Sequence, residues 1–259
     1  MASKINLLGV HVDALSVDEL HERIGDAVAK RDHSLVLYVN AHGLNLSYDH
    51  RWLREFLNQA AVVVPDGVGV AVAARMLGER PPQRIALTDW IWDLAGFAAE
   101  RDISLFLVGG APGVAERAAD ELRRRHAPLR IVGTQHGYFD KAREGSENRL
   151  VVDAINAAHP DILLVGFGMP IQEQWVKENW PGIDAAVALT GGAVMDYVSG
   201  MTRRGPTWMT SHGLEWLSRL VIEPRRLWRR YLLGNPVFLL RILRQRLRMG
   251  RLSPRKDAL

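Results

Sequence analysis

The chain contains no cysteine. That excludes disulfides, thiolate metal ligands and a cysteine nucleophile, and it fits a reducing compartment. Long hydrophobic runs are missing too: no stretch approaches the ~18 uncharged apolar residues that a bilayer-spanning helix requires. The N-terminus, Met1-Ala2-Ser3-Lys4-Ile5-Asn6, lacks the apolar core of a signal peptide, so export is not expected. Several chemical signatures are also absent. Gly166-x-Gly168 is followed by Ile171 and Gly67-x-Gly69 by Val72, so neither pair is completed to a dinucleotide-binding fingerprint. There is no Walker lysine loop, serine nucleophile elbow or H-E-x-x-H zinc helix. No D-x-D occurs, which weighs against a divalent metal bridging a diphosphate. The nine histidines are scattered; His42 and His136, near predicted strand ends, are open to a functional reading, though a solvated or structurally bonded histidine is the commoner case.

What is present describes a globular protein. With 259 residues, 47% hydrophobic and 24% charged, the chain can bury a substantial core as a large α/β domain with an appendage. The charge divides unevenly. Residues 200–259 hold 14 Lys and Arg against 3 Asp and Glu, or +11, which leaves 19 against 26, or −7, for residues 1–199. The boundary predicted is therefore an α/β domain over 1–199 and a basic amphipathic helical appendage over 200–259. Such a basic block points to an anionic partner: nucleic acid, phospholipid or a phosphorylated substrate.

Strand-like runs alternate with helical ones along residues 1–199. Residues 5–12 read as a strand, and Ser16-Val17-Asp18-Glu19 as a capping box before a helix carrying Leu20, Ile24 and Val28 on one face. A strand over 34–39 ends at Asn40, and residues 44–57 look helical. A helix is predicted to open at Thr88 or Asp89. A strand over 103–108 leads through Gly109-Gly110-Ala111-Pro112-Gly113 into a helix over 114–125, a turn whose N–H groups suit a phosphate or merely close helix packing. Strands follow at 129–134, 161–168 and 185–189, with Pro170 placed in the first turn of a helix. Repeated strand–helix steps imply a Rossmann-like, mostly parallel sheet with helices on both faces.

The chemical centre is expected at Val62-Val63-Val64-Pro65-Asp66-Gly67. A strand stopping at Pro65 and a helix starting after Gly67 put Asp66 at the carboxyl edge of the sheet, where ligands of open α/β sheets bind; Asn40 ends its strand at the same edge. An ordinary turn or helix cap is the alternative reading of Asp66. In the appendage, residues 214–233 and 236–249 interleave arginines with Trp, Tyr, Phe, Leu and Ile. That mixture suits a membrane surface with anionic lipids; a helical hairpin with solvated arginines is the other reading.

These residues carry a resemblance. Asn40, Pro65-Asp66-Gly67, Arg84 with Thr88-Asp89, Gly166-x-Gly168-x-Pro170-x-Gln172-Glu173-x-Trp175 and Gly191-Gly192 resemble the WecG/TagA/CpsF family of glycosyltransferases. So, above all, does Arg204-x-Pro206-x-Trp208…Gly213-Leu214-Glu215-Trp216…Arg219-Leu220…Glu223-Pro224-Arg225-Arg226. The resemblance implies an inverting, metal-independent transfer of glucose, N-acetylmannosamine or its uronic acid. The donor would be a UDP-sugar and the acceptor a polyprenyl-diphosphate-linked saccharide, in cell-surface polysaccharide synthesis at the cytoplasmic face of the membrane. No cofactor and no nucleic acid are implied, and a homo-oligomer is among the arrangements the family uses. By motif position, Asp66 would be the general base. Asn40, Arg84, Gln172, Asp196, Gly109 and Gly110 would contact donor or sugar, and Arg219, Arg226 and Arg229 would meet the diphosphate. The chain departs from the family pattern at Tyr38, where Thr is common, and at Ile171, where Lys is common. Two other classes remain at this stage: a nucleotide-binding protein that is not a transferase, and a nucleic-acid-binding protein using the basic appendage.

Overall fold

The computed structural model describes residues 3–202, 205–206, 209 and 214–252. Arg204, Trp208 and Gly213 of the appendage motif lie outside the described residues. A hairpin opens the chain, β1 (Ser3–Leu7) and β2 (Val10–Ala14), paired antiparallel. The single strand expected over 5–12 is thus two strands: Leu8 and Gly9 both take positive φ and turn the chain inside that apolar run. Then come α1 (Val17–Lys30), β3 (Ser34–Val39), α2 (Ala41–Asp49), α3 (Arg51–Gln59), β4 (Val62–Pro65), α4 (Val68–Leu77) and α5 (Leu87–Glu100). They are followed by β5 (Ser104–Gly109), α6 (Val114–Arg125), β6 (Arg130–Gln135), α7 (Ser146–Ala158), β7 (Ile162–Gly166), α8 (Ile171–Asn179), β8 (Val187–Thr190) and α9 (Val194–Val198). The appendage holds α10 (Glu215–Ile222), α11 (Pro224–Trp228), a π-helical turn over Arg229–Leu233 and α12 (Gly234–Leu252).

Local chemistry accounts for most boundaries. Ser16 and Glu19 form the reciprocal capping box, Ser16 Oγ accepting from the Glu19 N–H while the Glu19 carboxylate accepts from the Ser16 N–H. The helix expected over 44–57 breaks at His50, whose extended backbone separates α2 from α3. The cap before α5 is Ala86, not Thr88 or Asp89, and Pro170 caps α8 instead of lying in its first turn.

Strands β4-β3-β8-β7-β5-β6 form one sheet, and every pairing in it is parallel. Both faces are covered, so the strands are buried on both sides and alternate between two cores. Val36, Val62, Leu105, Ile162 and Leu189 face the core beneath α1, α5, α6 and α9. Leu37, Val63, Phe106, Leu163 and Ala188 face the other, which also takes up the hairpin, α3, α4 and α8. Phe238 and Ile242 of α12, 1% and 0% exposed, belong to that second core, so the last helix is packed into the body of the protein.

The topology fixes where a ligand site can open. β3 leads into α2 on the second face, while its neighbour β8 leads into α9 on the first. Adjacent strands whose connections leave toward opposite faces part at their carboxyl ends, and the crevice there is the usual ligand site of open α/β sheets.

Candidate active site

Asn40 and Asp66 stand at the carboxyl ends of β3 and β4, at this crevice. The ladder carries Asp66 into place: its N–H donates to Val39 O at 2.8 Å, and Gly67 then takes φ +79° to turn into α4, a conformation that favours glycine. Asn40 caps α2, its Oδ1 accepting from the N–H groups of His42 and Gly43, both at 3.1 Å. That leaves the Asn40 amide to bond the Asp66 carboxylate.

Over this edge the appendage closes a cavity of about 480 Å³. Asn40, His42, Asp66 and Arg84 come from the body, and Glu215, Trp216, Arg219, Arg230 and Tyr231 from the appendage. Glu215 joins the two halves, its carboxylate reaching Arg84 at 3.5 Å and Arg219 at 3.2 Å. Arg219 also lies over the Tyr197 ring, 4.9 Å from its centroid. The buried Nε atoms of Arg219 and Arg230 have no hydrogen-bond partner among the described residues.

The electrostatics follow from exclusion of water. Burial, then the Glu215 charge, push the Asp66 carboxyl above its ordinary range, against Arg219, the Asn40 amide and Arg84, which hold it ionised. Burial lowers Arg219, but Tyr197, Glu215, Tyr231 and Asp66 together outweigh it and raise the group, whereas burial lowers Arg230. His42 falls to about 4 through burial and the nearby Arg230, so its imidazole is neutral at physiological pH. Tyr38 is buried on β3, its hydroxyl unpartnered among the described residues, and burial together with the Asp66 charge raises it well above its ordinary value. The site can therefore offer one carboxylate base, a neutral imidazole and arginines able to receive an anion.

The other residues singled out by motif fall outside that cavity. Gln172 is buried at the start of α8. Its Oε1 accepts from the N–H groups of Gly168 at 3.1 Å and Gly192 at 2.9 Å, and its amide donates to Glu173 at 2.7 Å, so it ties the loops after β7 and β8 together. Burial raises Glu173 to about 7. Gly109 and Gly110 sit after β5, and a Cβ on Gly109 would come within 2.4 Å of Gly166 O, so close strand approach already requires that glycine. Asp196, in α9, is raised by burial and lies near Arg226 and Glu223. Arg226 is exposed and pairs with Glu223, while Arg229 is exposed with its guanidinium 5.3 Å from the Trp228 ring centroid. Arg230 is the arginine of that stretch that enters the cavity; the sequence assigned it no role, whereas Glu215 stood in the appendage motif and His42 near a predicted strand end. Among the described residues no group of three His, Asp or Glu side chains is placed to hold a metal ion.

Comparison with known proteins places the chain in a family. The model of the Glycosyl transferase WecG/TagA/CpsF family matches residues 5–252. A Bacillus subtilis N-acetylglucosaminyldiphosphoundecaprenol N-acetyl-beta-D-mannosaminyltransferase is 30% identical over 191 residues, 74% of this chain and 72% of its own. A Staphylococcus aureus protein of the same name is 27% identical over 242 residues, 93% of this chain and 92% of its own. An α/β body with a carboxylate at the sheet edge, covered by an arginine-bearing appendage and matched by that model over nearly its whole length, belongs to the WecG/TagA/CpsF glycosyltransferase family.

Proposed function

We propose that this glycosyltransferase moves an N-acetylhexosamine or hexose from a UDP-sugar to a saccharide carried on a polyprenyl diphosphate, with inversion at the anomeric carbon. The observation that carries the reading is the shared cavity, in which Asp66 faces Arg84, Arg219 and Arg230. N-acetylmannosamine is the sugar named for both relatives, and N-acetylglucosaminyl-diphosphoundecaprenol their acceptor.

Inversion needs an acceptor hydroxyl to lose its proton as its oxygen attacks the anomeric carbon from the face opposite the leaving diphosphate. Asp66 accepts that proton, and the Asn40 amide orients its carboxylate. The C–O bond to the diphosphate breaks as the new one forms, and the developing negative charge meets guanidinium groups already fixed in a water-poor site. Arg219, packed on Tyr197 of α9, stands on the β8 side, where the loops bound to Gln172 lie. The nucleotide accordingly lies along the edges of β5, β7 and β8, past Gly109, Gly110 and Asp196, with Gln172 holding the loops in register. Arg226, near Asp196, borders that path, whereas Arg229 is exposed beside Trp228.

No helix among the described residues is long and apolar enough to cross a membrane. Val221, Ile222, Leu233, Leu240, Leu243 and Leu247 are exposed on the appendage among arginines, a surface suited to peripheral binding where a lipid-linked acceptor resides.

The test is transfer from a panel of UDP-sugars to a short-chain polyprenyl-diphosphate N-acetylglucosamine, with wild type and Asp66→Asn. One donor should be used, and the variant should lose ~10²-fold or more in kcat, the scale of general-base catalysis, with donor binding retained. Equal transfer by the two proteins would remove Asp66 as base.

A further inference from the structure

The cavity is chemically graded. Toward its inner end lie Asp66, Asn40 and the guanidinium groups of Arg219 and Arg230, whose Nε atoms have no hydrogen-bond partner among the described residues. Its outer end is formed by Val68, Leu232 and Leu239, which line the cavity while remaining 38%, 55% and 40% exposed. Three elements supply them: the first residue of α4, the π-helical turn and α12. Outside this mouth the apolar surface continues along α12 through Leu240 and Leu243. A nucleotide or a free sugar phosphate is polar along its length and gains nothing from an aliphatic entrance. An aliphatic mouth leading to buried cations instead fits an amphiphile with an anionic head and an apolar tail.

We propose that Val68, Leu232 and Leu239 form a subsite for the isoprene units next to the diphosphate of the lipid-linked acceptor, so that the enzyme grips the start of the tail itself. The inference rests on the reading that the acceptor is a polyprenyl diphosphate. The order of groups along such an acceptor is attacking hydroxyl, sugar, diphosphate and prenyl chain. The cavity presents Asp66, then arginine, then the aliphatic mouth. Arg230 is the cation on the mouth side: its guanidinium lies 5.5 Å from the ring centroid of Tyr231, beside Leu232, and its charge acts on His42 at the start of α2. Arg219 is left to the donor side. At about 480 Å³ the space falls within the ~300–1,000 Å³ of sites that enclose ligands of this size.

The test is calorimetric binding of two soluble probes to the full chain, geranyl diphosphate and methyl diphosphate, below the concentration at which the former aggregates. Without vesicles, membrane affinity does not enter. Geranyl diphosphate should bind at least ~10-fold tighter, since even partial burial of one isoprene unit is worth that much. Leu239→Trp and Val68→Trp change exposed positions and should fold normally, as thermal midpoints will verify, and each should shrink the preference to ~3-fold or less by filling the mouth. Equal binding of the two probes to wild type would overturn the proposal, and so would an undiminished preference in both variants. Failure of the glycosyl-transfer reading would appear separately, in the UDP-sugar panel, because binding of these probes requires no turnover.

Discussion

At the scale of single residues, the site is organised by which charges see Asp66. Glu215 is the anion that raises it, and Glu215 also holds Arg84 and Arg219, two of the cations that lower it. Glu215→Gln therefore acts in one direction through both routes: it removes a repulsion and weakens the hold on two attractive groups. In the proposed mechanism Asp66 acts ionised, so kcat/KM should fall as pH drops through its pKa. The acid limb of that profile should move to lower pH in the variant, and an unmoved limb would show that Asp66 is not the titrating base. Asp66 and Asn40 were legible in the sequence because a strand followed by Pro-Asp-Gly, or ended by Asn before a helix, sets a polar side chain at the sheet edge. Arg230 was not. The arginine pair at 229–230 is ambiguous for an α-helix, and the π-helical turn from Arg229 to Leu233 widens the helix to i→i+5 bonding, which changes the face each residue occupies. Arg230 thereby enters the cavity while Arg229 stays exposed.

At the scale of elements, α12 is the part of the appendage most firmly tied to the body. Arg241 donates to Asn45 O at 2.9 Å and to both carboxylate oxygens of Asp49 at 3.0 and 2.6 Å, and it lies over Tyr48. Gln245 bonds Leu8 N and Asn6 O, and Arg246 bonds Leu77 O. Arg241→Ala should lower stability by about 1–3 kcal/mol in urea unfolding, the range for charge-assisted hydrogen bonds of a partly buried group. Arg244→Ala, at an exposed position on the same helix, should stay within about 0.5 kcal/mol, and equal losses from both would mean that α12 is not strapped as described. Element by element, β3 was read to the residue because Leu35 to Val39 is an unbroken apolar run, its last four residues buried, between polar Ser34 and Asn40. The hairpin was not, although Asn6 and Gly9 bracket its turn, Asn6 Oδ1 accepting from the Gly9 N–H, because apolar residues continue at strand-like spacing on both sides of it. Helix α7 was not read at all: Ser146-Glu147-Asn148-Arg149 opens it with polar residues, and only Asn148, Val151 and Ile155 are buried. Its Asn148 bonds Trp175 and Asn179 across to α8, a long-range pairing that no local pattern announces.

At the scale of the whole molecule, residues 200–259 carry +11 against −7 on the rest, and Val221, Leu233, Leu240 and Leu247 of that basic segment are exposed. Full-length protein should co-sediment with vesicles containing phosphatidylglycerol about 10-fold or more better than with phosphatidylcholine alone, and the difference should shrink as salt shortens the Debye length. Binding indifferent to lipid charge would leave the arginines as solvation alone. The charge asymmetry was visible in composition, but which apolar residues face outward was not, because α12 places Phe238 and Ile242 inward and Leu240 and Leu243 outward within a single helix. That split makes α12 part of the interior, since Phe238 and Ile242 fill the second core of the sheet. A chain cut ahead of α12 would leave that core open to water and the cavity without one of its walls, so such a cut should yield a substrate for proteases instead of a weakened protein.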